Sequence, residues 1–248
     1  MGVILMLGKY ELNNIYNEDS YKAIKDIPDK SIDCIHVDIP YIIQSGGASD
    51  TPLSQRAKRL RNIDLKDIKD GIDYSILDDF VRIMKKVNIF IWCSKEQIND
   101  IMNYFLNIDK RTINFEILIW AKDNPTPLTN NTWLPDIEHC LYFREKGVSL
   151  NNGYELKSKW YSSPINKRDK DLFEHPTIKP LNLIKRHIEH VTQPNDIVAD
   201  FFLGSGTTAV ACKEIDRQYI GFEIDKKWFN IAQDRLNGIT AKGQYSLF

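Results

Sequence analysis

The chain has 248 residues, of which 42% are hydrophobic and 27% are charged, and its formal net charge is -1. This length and composition favour one globular α/β domain and exclude collagen-like, low-complexity and wholly disordered chains. No apolar stretch approaches the ~20 residues that span a bilayer, so the sequence predicts a cytoplasmic protein. The cysteines lie far apart within apolar runs, which predicts buried thiols and no metal site; they are Cys34, Cys93, Cys140 and Cys212.

Short β-branched runs alternate with amphipathic segments, a pattern typical of a mostly parallel sheet with helices on both faces. Strands are predicted over residues 12–16, 32–37, 88–93, 115–120, 137–143, 197–199 and 219–222. Helices are predicted over residues 19–25, 74–85, 95–106, 181–190, 207–215 and 226–236. We therefore expect a seven-stranded α/β sheet in a single domain that spans residues 1–248.

Two polar stretches interrupt this alternation, at residues 42–71 and 144–174. Loops this long in a compact domain are usually functional, and ligands of open α/β sheets bind beyond the carboxyl ends of the strands. Both stretches carry basic residues suited to nucleic-acid phosphates, and the alternative is a solvated loop. These residues are Arg56, Lys58, Arg59 and Arg61 in the first stretch and Lys157, Lys159, Lys167 and Arg168 in the second.

The strongest local pattern runs from Asp200 to Thr208, between a predicted strand and a predicted helix. Its glycines allow the backbone to pass close to a ligand, and the free amides at the helix start favour a negative group. Glu223 ends the next predicted strand, where nucleotide-binding folds have an acceptor for ribose hydroxyls. The segment resembles the FxGxGTT signature of S-adenosylmethionine-dependent DNA amino-methyltransferases, with Phe201 in place of the family's usual proline.

This resemblance implies S-adenosylmethionine as the cofactor. The implied cofactor residues in this part of the chain are Asp200, Phe202, Gly204, Ser205, Gly206, Thr207, Thr208 and Glu223. Asn17-Glu18-Asp19 resembles the family's NGD-like turn, which implies that Asp19 contacts the cofactor adenine. The segment 175–180 resembles the family's HPTxKP motif and adds His175, Thr177 and Lys179 to the cofactor site. Thr177 and Lys179 are expected near the methionine end, where a cation suits the carboxylate.

The segment Asp38-Ile39-Pro40-Tyr41 follows a predicted strand and resembles the family's catalytic DPPY tetrad, with Ile39 replacing the first proline. The exocyclic amine of a base is a poor nucleophile because its lone pair is conjugated into the ring. Acceptors for its two N–H groups help the nitrogen to become pyramidal, and the Asp38 carboxylate and the Ile39 carbonyl are the candidates. The resemblance implies that Tyr41 stacks on a base flipped out of the duplex.

The order of the motifs, with the tetrad first, the 175–180 segment next and the glycine loop last, resembles the β permutation group of this family. The implied fold is a Rossmann-like methyltransferase with a circularly permuted motif order. This order argues against ribosomal RNA and protein glutamine methyltransferases, and the chain has no Pro-Cys pair for cytosine-C5 methylation. Residues 120–127 resemble the WxKxNPxP stretch, which implies that Lys122 and Asn124 lie at the rim of the target-base pocket.

The combination of Asp38 and Tyr41 favours N6 of adenine as the methylated amine, with N4 of cytosine as the alternative, since Ser-Pro-Pro tetrads are more usual for cytosine. We expect the two long loops to recognise the target sequence on double-stranded DNA. The sequence does not distinguish between the polar candidates for base contacts, which are Gln44, Ser54, Gln55, Asn131 and Asn166.

The implied protein is a bacterial or phage-encoded DNA methyltransferase of a restriction-modification system, or a solitary one, and the family is compatible with a homodimer. Two other interpretations stay open: a catalytically inactive nucleic-acid-binding relative, because Ile39 and Phe201 depart from the motifs, and an RNA methyltransferase. The segment 241–248 is expected to be a flexible tail. It resembles the peptide that docks bacterial proteins in the replicative sliding clamp, with a frayed terminus as the alternative; its anchors are Gln244, Leu247 and Phe248.

Overall fold

The computed structural model describes residues 5–42, 71–125, 133–151, 153–165 and 178–239. Ten strands lie in this part of the chain: β1 (Met6–Leu7), β2 (Tyr10–Glu11), β3 (Asn14–Tyr16), β4 (Cys34–Asp38), β5 (Asn88–Cys93), β6 (Ile113–Lys122), β7 (Ile137–Glu145), β8 (Trp160–Ser163), β9 (Ile197–Asp200) and β10 (Gln218–Phe222). β1 and β2 form a small antiparallel pair. The other eight form one sheet in the order β3-β10-β9-β4-β5-β7-β6-β8.

All strands of the large sheet run in the same direction except β7, which is antiparallel to both of its neighbours, β5 and β6. The carboxyl ends of seven strands therefore meet at one edge, and β7 begins at that edge. We call this side of the sheet the carboxyl edge. The six residues of the central strand β5 are all buried, as expected for a strand covered on both faces.

The described α-helices are α1 (Ser20–Ala23), α2 (Ile76–Ile83), α3 (Ile98–Leu106), α4 (Leu181–Val191), α5 (Thr207–Glu214) and α6 (Lys226–Leu236). Two short 3-10 helices are also present among the described residues. Ile24–Asp26 directly follows α1, and Glu155–Lys157 precedes β8. Helices α1, α2 and α3 contribute to the hydrophobic core on one face of the sheet. Helices α4, α5 and α6 contribute to a second core on the other face, which gives a three-layer α/β/α sandwich.

Local sequence explains where the helices begin and which face they bury. On α2, Ile76, Phe80 and Ile83 recur at helical spacing, and all three are buried. The side chain of Asp225 caps α6 by accepting hydrogen bonds from the backbone amides of Lys227 at 2.7 Å and Trp228 at 3.2 Å.

All seven predicted strands and all six predicted helices are confirmed, with shifts of a few residues at their ends. The large sheet has one strand more than predicted, because β8 lies inside the stretch 144–174 that was predicted to be a loop, and the small pair β1 and β2 was not predicted either. β8 pairs in parallel with β6, with Ile119 opposite Trp160. Its short Trp-Tyr-Ser-Ser sequence lacks the apolar run that marks the buried strands. Of the other predicted loop, residues 43–70 lie outside the described residues.

The four cysteine thiols are free and buried, as predicted. Among the described residues, no helix is both long enough and apolar enough to span a membrane.

Candidate active site

Polar side chains from several chain segments meet at the carboxyl edge. Asp38 is the last residue of β4, Asp200 ends β9, and Glu223 directly follows β10. Glu138 is the second residue of β7, which starts at this edge because it runs in the opposite direction. Sheet topology therefore brings together residues that are far apart in the sequence.

The predicted tetrad lies directly after β4. The Ile39 amide donates a hydrogen bond to the Trp92 carbonyl at 3.2 Å, which extends the pairing of β4 with β5. The Gln97 side chain is fully buried, and its Nε2 donates to the Pro40 carbonyl at 2.9 Å. Ile39, which replaces a proline of the family pattern, is only 1% exposed and belongs to the core. The isoleucine side chain therefore packs in the hydrophobic core. Hydrogen bonds to the Trp92 carbonyl and from the Gln97 side chain hold the turn.

Lys179 lies at the tetrad. Its Nζ atom is 2.5 Å from Asp38 Oδ2 and donates to the Tyr41 hydroxyl at 3.2 Å. The same ammonium lies 5.2 Å from the centre of the Trp92 ring, within the range of a cation–π contact. The side chain is only 7% exposed. A contact between Lys179 and the methionine carboxylate of the cofactor stays a prediction, and in the described structure the lysine pairs with protein carboxylates.

Glu138 completes this group, although the motifs did not identify it. Its Oε2 atom lies 3.0 Å from Lys179 Nζ and 3.5 Å from the Tyr41 hydroxyl, which donates to it. Its Oε1 atom lies 2.7 Å from Lys122 Nζ. The residues Asp38, Lys179, Glu138 and Lys122 thus form a line of alternating charges, which we call the charge chain. A sequence signal existed, since Glu138 is the only carboxylate in the predicted strand 137–143, which is mostly apolar.

Strand register explains why Asp38 and Glu138 point to the same side of the sheet. Asp38 is opposite Trp92 on β5, and Trp92 is opposite Cys140 on β7. Because side chains two residues apart in a strand share a face, Glu138 lies on the same face as Cys140. Lys179 precedes α4, which covers this face, so its ammonium enters between the two carboxylates.

The environment shifts the pKa of each member of this group. Burial raises the pKa of Asp38, and the ammonium of Lys179 opposes part of that rise. Burial also disfavours the charged form of Glu138, but the ammonium groups of Lys179 and Lys122 hold its pKa at about 2. Burial alone would lower the pKa of Lys179, and the two carboxylates raise it above its ordinary value instead. Glu138 and Lys179 are therefore charged at neutral pH.

The glycine loop lies next to the tetrad, between β9 and α5. Gly206 caps α5 with a φ of 81°, in the left-handed region that favours glycine. A Cβ atom at Gly206 would lie 2.9 Å from the Cβ atom of Ala232 on α6, so the loop backbone packs directly on that helix. Phe201, the other departure from the family pattern, is fully buried and stacks on Phe222 with ring centres 5.3 Å apart.

Three predicted cofactor residues of the glycine loop direct their side chains into the protein. Arg235 Nη1 donates to the hydroxyl groups of Ser205 and Thr207, each at 3.0 Å. The Thr208 hydroxyl lies 3.4 Å from Nδ1 of the buried His36. These three hydroxyls are therefore used inside the protein, and their contact with the cofactor stays a prediction.

Glu223 joins the glycine loop to the neighbouring strand ends. Its Oε2 atom accepts a hydrogen bond from the Gly204 amide at 2.7 Å, and its Oε1 atom accepts from the Asp225 amide at 2.8 Å. The Asn17 side chain donates to the Glu223 carbonyl at 2.8 Å. Asp19 caps α1 by accepting from the Tyr21 amide at 3.0 Å. The turn that contains Asp19 is thus joined to Glu223 through Asn17, two residues before Asp19.

The buried Asp200 lies between the glycine loop and the tetrad. Its Oδ1 atom accepts from the Phe202 amide at 3.0 Å. Burial, with a smaller contribution from the nearby charges of Asp38 and Glu223, raises the pKa of its carboxyl to about 7, although hydrogen bonds from Thr208 and the Phe202 amide oppose the rise.

The predicted DNA-contact residues fall into three groups. Lys122 is 14% exposed and belongs to the charge chain, while Asn124 is exposed and accepts from the Ile165 amide at 2.6 Å. Lys157 and Lys159 are exposed near β8, and Lys159 pairs with Glu116. The other predicted contacts lie outside the described residues; they are Arg56, Lys58, Arg59, Arg61, Lys167 and Arg168.

Several further predictions cannot be placed, because they also lie outside the described residues: His175 and Thr177 of the cofactor motif, and Gln244, Leu247 and Phe248 of the tail. The same holds for the polar candidates Gln44, Ser54, Gln55, Asn131 and Asn166.

Known proteins resemble this chain over nearly its whole length. The family model described as DNA methylase (N6_N4_Mtase) matches residues 32–234. The Type II methyltransferase M2.LlaDCHI of Lactococcus lactis subsp. cremoris is 29% identical over 261 residues, which cover 95% of this chain and 94% of the relative. The Type II methyltransferase M2.DpnII of Streptococcus pneumoniae is 28% identical over 260 residues, which also cover 95% of this chain and 94% of the relative.

Solved structures agree with these relatives. The M1.HpyAVI-SAM complex has a TM-score of 0.66 and 27% identity, and the match covers 90% of this chain and 98% of that chain. The cytosine-N4-specific PvuII DNA methyltransferase is similar in fold, with a TM-score of 0.67, 14% identity and coverage of 90% of this chain and 85% of that chain. The matched range of the family model contains the tetrad, Lys179, the glycine loop and Glu223. The chain therefore belongs to the DNA methylase family and has the fold of its S-adenosylmethionine-dependent methyltransferases.

Proposed function

We propose that this protein is a site-specific DNA methyltransferase that methylates N6 of an adenine flipped out of the duplex, with Asp38 as the acceptor for the amine. The observation that carries the proposal is the state of the Asp38 carboxylate. Oδ2 is held by Lys179 at 2.5 Å, whereas Oδ1 is buried and has no hydrogen-bond partner among the described residues. A buried acceptor without a partner is costly, and an amine N–H is a donor that would satisfy it.

The residues around the glycine loop fit S-adenosylmethionine. Each carboxylate oxygen of Glu223 accepts one backbone amide, and a carboxylate has about four acceptor positions, which leaves capacity for ribose hydroxyls. Beside it, Ile224 is 69% exposed and Phe202 is half-buried, and such apolar surfaces suit an adenine ring. When bound, this cofactor supplies an electrophilic methyl group on a sulfonium centre.

The tetrad supplies the groups that the amine needs. Hydrogen bonding from the base amine to Asp38 Oδ1 and to the Ile39 carbonyl would draw the nitrogen lone pair out of conjugation with the ring. Tyr41 would stack on the flipped base. Its hydroxyl is oriented by Lys179 at 3.2 Å and by Glu138 at 3.5 Å, which supports a fixed position for its ring. The methylated nitrogen then loses one proton, and the Asp38 carboxylate is the acceptor that we propose for it.

The choice of adenine over cytosine rests on the tetrad. By resemblance to the family, a tetrad with Asp38 and Tyr41 supports N6 of adenine, because Ser-Pro-Pro tetrads are more usual for cytosine, and N4 of cytosine is the alternative. A role in restriction-modification is supported by relatives whose names identify them as Type II methyltransferases.

The DNA-contact role of the exposed Lys157 and Lys159 is part of this proposal, with the long loops as readers of the target sequence. A homodimer, clamp binding through the tail 241–248, a cytoplasmic location and the permuted motif order stay predictions.

The direct test is mass spectrometry of nucleosides from unmethylated DNA incubated with the protein and isotopically labelled S-adenosylmethionine. We expect labelled N6-methyladenine from the wild type and none from Asp38→Asn. The control is Asp29→Asn, since the Asp29 side chain is 70% exposed and pairs with Arg82 away from the carboxyl edge. Labelled N4-methylcytosine would contradict the assignment of the base. Binding of S-adenosylmethionine without transfer to DNA or to RNA would instead support an inactive relative.

A further inference from the structure

Glu138 and Asp38 both form ion pairs with the ammonium group of Lys179. Lys179 Nζ lies 2.5 Å from Asp38 Oδ2 and 3.0 Å from Glu138 Oε2, so the two carboxylates share its single positive charge. The other oxygen of Glu138 is fixed by Lys122 at 2.7 Å. Lys179 and Glu138 have side chains that are 7% and 18% exposed, so water weakens their interaction little.

We propose that Glu138 is a positioning residue for methyl transfer, which draws part of the Lys179 ammonium toward itself and so keeps Asp38 a strong acceptor for the base amine. The role in methyl transfer rests on the proposed function. The distribution of charge between the two carboxylates exists in the protein without substrate and can be measured separately. Glu138 acts through Lys179, because its own carboxylate oxygens are held by lysine ammonium groups and the Tyr41 hydroxyl.

The physical reason lies in the competition between acceptor strength and ion pairing. A carboxylate that is fully paired with one ammonium loses basicity, because the positive charge stabilises its ionised form. Hydrogen-bond and proton acceptors in enzymes work best when their basicity is kept near the working range. A second carboxylate on the same ammonium restores basicity to the first. Lys122 then compensates the charge of Glu138, so the added carboxylate is itself paired.

Charged and titratable groups face Asp38 from each chain segment that packs against it. Lys179 lowers the pKa of Asp38 and Glu138 raises it. Tyr41, three residues further along the chain, Cys93 on β5 and Cys140 on β7 each have a pKa that the charge of Asp38 raises. Asp200 of the neighbouring strand β9 also senses Asp38. His36 on β4 faces Lys179 and is kept neutral mainly by burial.

The proposal predicts the sign of one shift. Replacing Glu138 by glutamine removes a negative charge and leaves Lys179 fully to Asp38. The titration midpoint of Asp38 should therefore fall, by about one pH unit, which corresponds to about 1.4 kcal/mol. If Glu138 merely held Lys179 in place, its loss would release the lysine and the midpoint of Asp38 would rise.

The measurement is an NMR titration of the protein labelled with carbon-13 at the aspartate carboxyls, with the Asp38 signal assigned from its absence in Asp38→Asn. We expect a lower midpoint in Glu138→Gln and a midpoint near the wild-type value in Glu138→Asp, which restores the charge. Glu145→Gln is the matched control, because Glu145 ends the same strand and pairs with Arg111 at 2.8 Å, remote from Asp38. An unchanged or higher midpoint in Glu138→Gln overturns the proposal.

This titration needs no enzymatic activity, so failure of the proposal is distinguishable from failure of the proposed function. In active preparations, the single-turnover rate of Glu138→Gln should be about three- to tenfold lower, and the acid limb of its pH profile should move to lower pH. A lower rate with an unmoved acid limb would contradict the proposal.

Discussion

Replacing Gly206 by alanine tests the packing that holds the glycine loop. Two separate penalties are expected at this position. The φ of 81° is a left-handed conformation that an L-residue adopts at a cost of roughly 1–2 kcal/mol. The new methyl group would also lie 2.9 Å from the Cβ atom and 3.2 Å from the Cα atom of Ala232.

The second penalty is one of overpacking. The obstructing atoms belong to the backbone and Cβ of α6, so no side-chain rotation relieves the contact. Inserting a methylene-sized group into a packed core costs typically ~1–3 kcal/mol. The two penalties together predict that Gly206→Ala lowers the free energy of unfolding by about 2–5 kcal/mol. Because the loop must shift to accommodate the methyl group, we also expect weaker binding of S-adenosylmethionine.

Urea denaturation of a double-mutant cycle with Ala232→Gly separates the two penalties. Removing the Ala232 methyl should recover about 1–2 kcal/mol of the loss as a coupling energy, although glycine in a helix by itself costs about 1 kcal/mol. The conformational penalty should remain in the double variant. A change of less than about 0.5 kcal/mol for Gly206→Ala, which is the range of ordinary surface substitutions, or a coupling energy of zero would refute this reasoning.

Three further predictions follow from the site. Lys179→Met leaves the carboxylates of Asp38 and Glu138 without their shared cation, so the free energy of unfolding at neutral pH should fall by about 3–5 kcal/mol; a loss below 1 kcal/mol in thermal unfolding would contradict the charge chain. The folded-state pKa of Asp200, raised to about 7, lies above its unfolded value, so its contribution to stability is lost as pH rises from about 4 to about 7. The free energy of unfolding of Asp200→Asn should therefore rise relative to that of the wild type across this pH window, by roughly 4 kcal/mol at most. If the free energies of unfolding of the two proteins run parallel between about pH 4 and about pH 7, this explanation is wrong. Glu223→Gln, which replaces one acceptor oxygen by a donor, should weaken S-adenosylmethionine binding about tenfold in calorimetry, and unchanged affinity would remove Glu223 from the cofactor site.

The sequence predicted most of the fold because its strands are marked by apolar runs. The buried strand β5 was predicted with its exact bounds, 88–93. Helix α6 was also exact, since Asp225 provides a cap and the periodic pattern ends at Leu236. The edge strand β8 was missed, because it is short, partly exposed and stabilised by pairing with β6. A contact of this kind depends on distant residues that local patterns do not contain.

The site was predicted in its parts but not in its connections. Motifs identified Asp38, Lys179 and Lys122 and assigned them to catalysis, cofactor binding and DNA contact, respectively. In the structure these residues form one charge chain through Glu138, which no motif contained. The connection arises from the direction of β7, and strand direction follows from tertiary pairing, which short sequence patterns do not specify.

The balance of charges in the charge chain has a consequence for the response of the protein to ionic strength. Two ammonium groups and two carboxylates sum to zero, and the side chains of Lys179, Lys122 and Glu138 are all less than 20% exposed, while that of Asp38 is 32% exposed. Mobile ions screen such a buried group weakly, whereas contacts between lysines and DNA phosphates weaken steeply as salt is added. High salt should therefore release DNA while leaving the rate of the bound complex nearly unchanged. The catalytic centre and the DNA-binding surface would then respond independently to the ionic conditions of the cell.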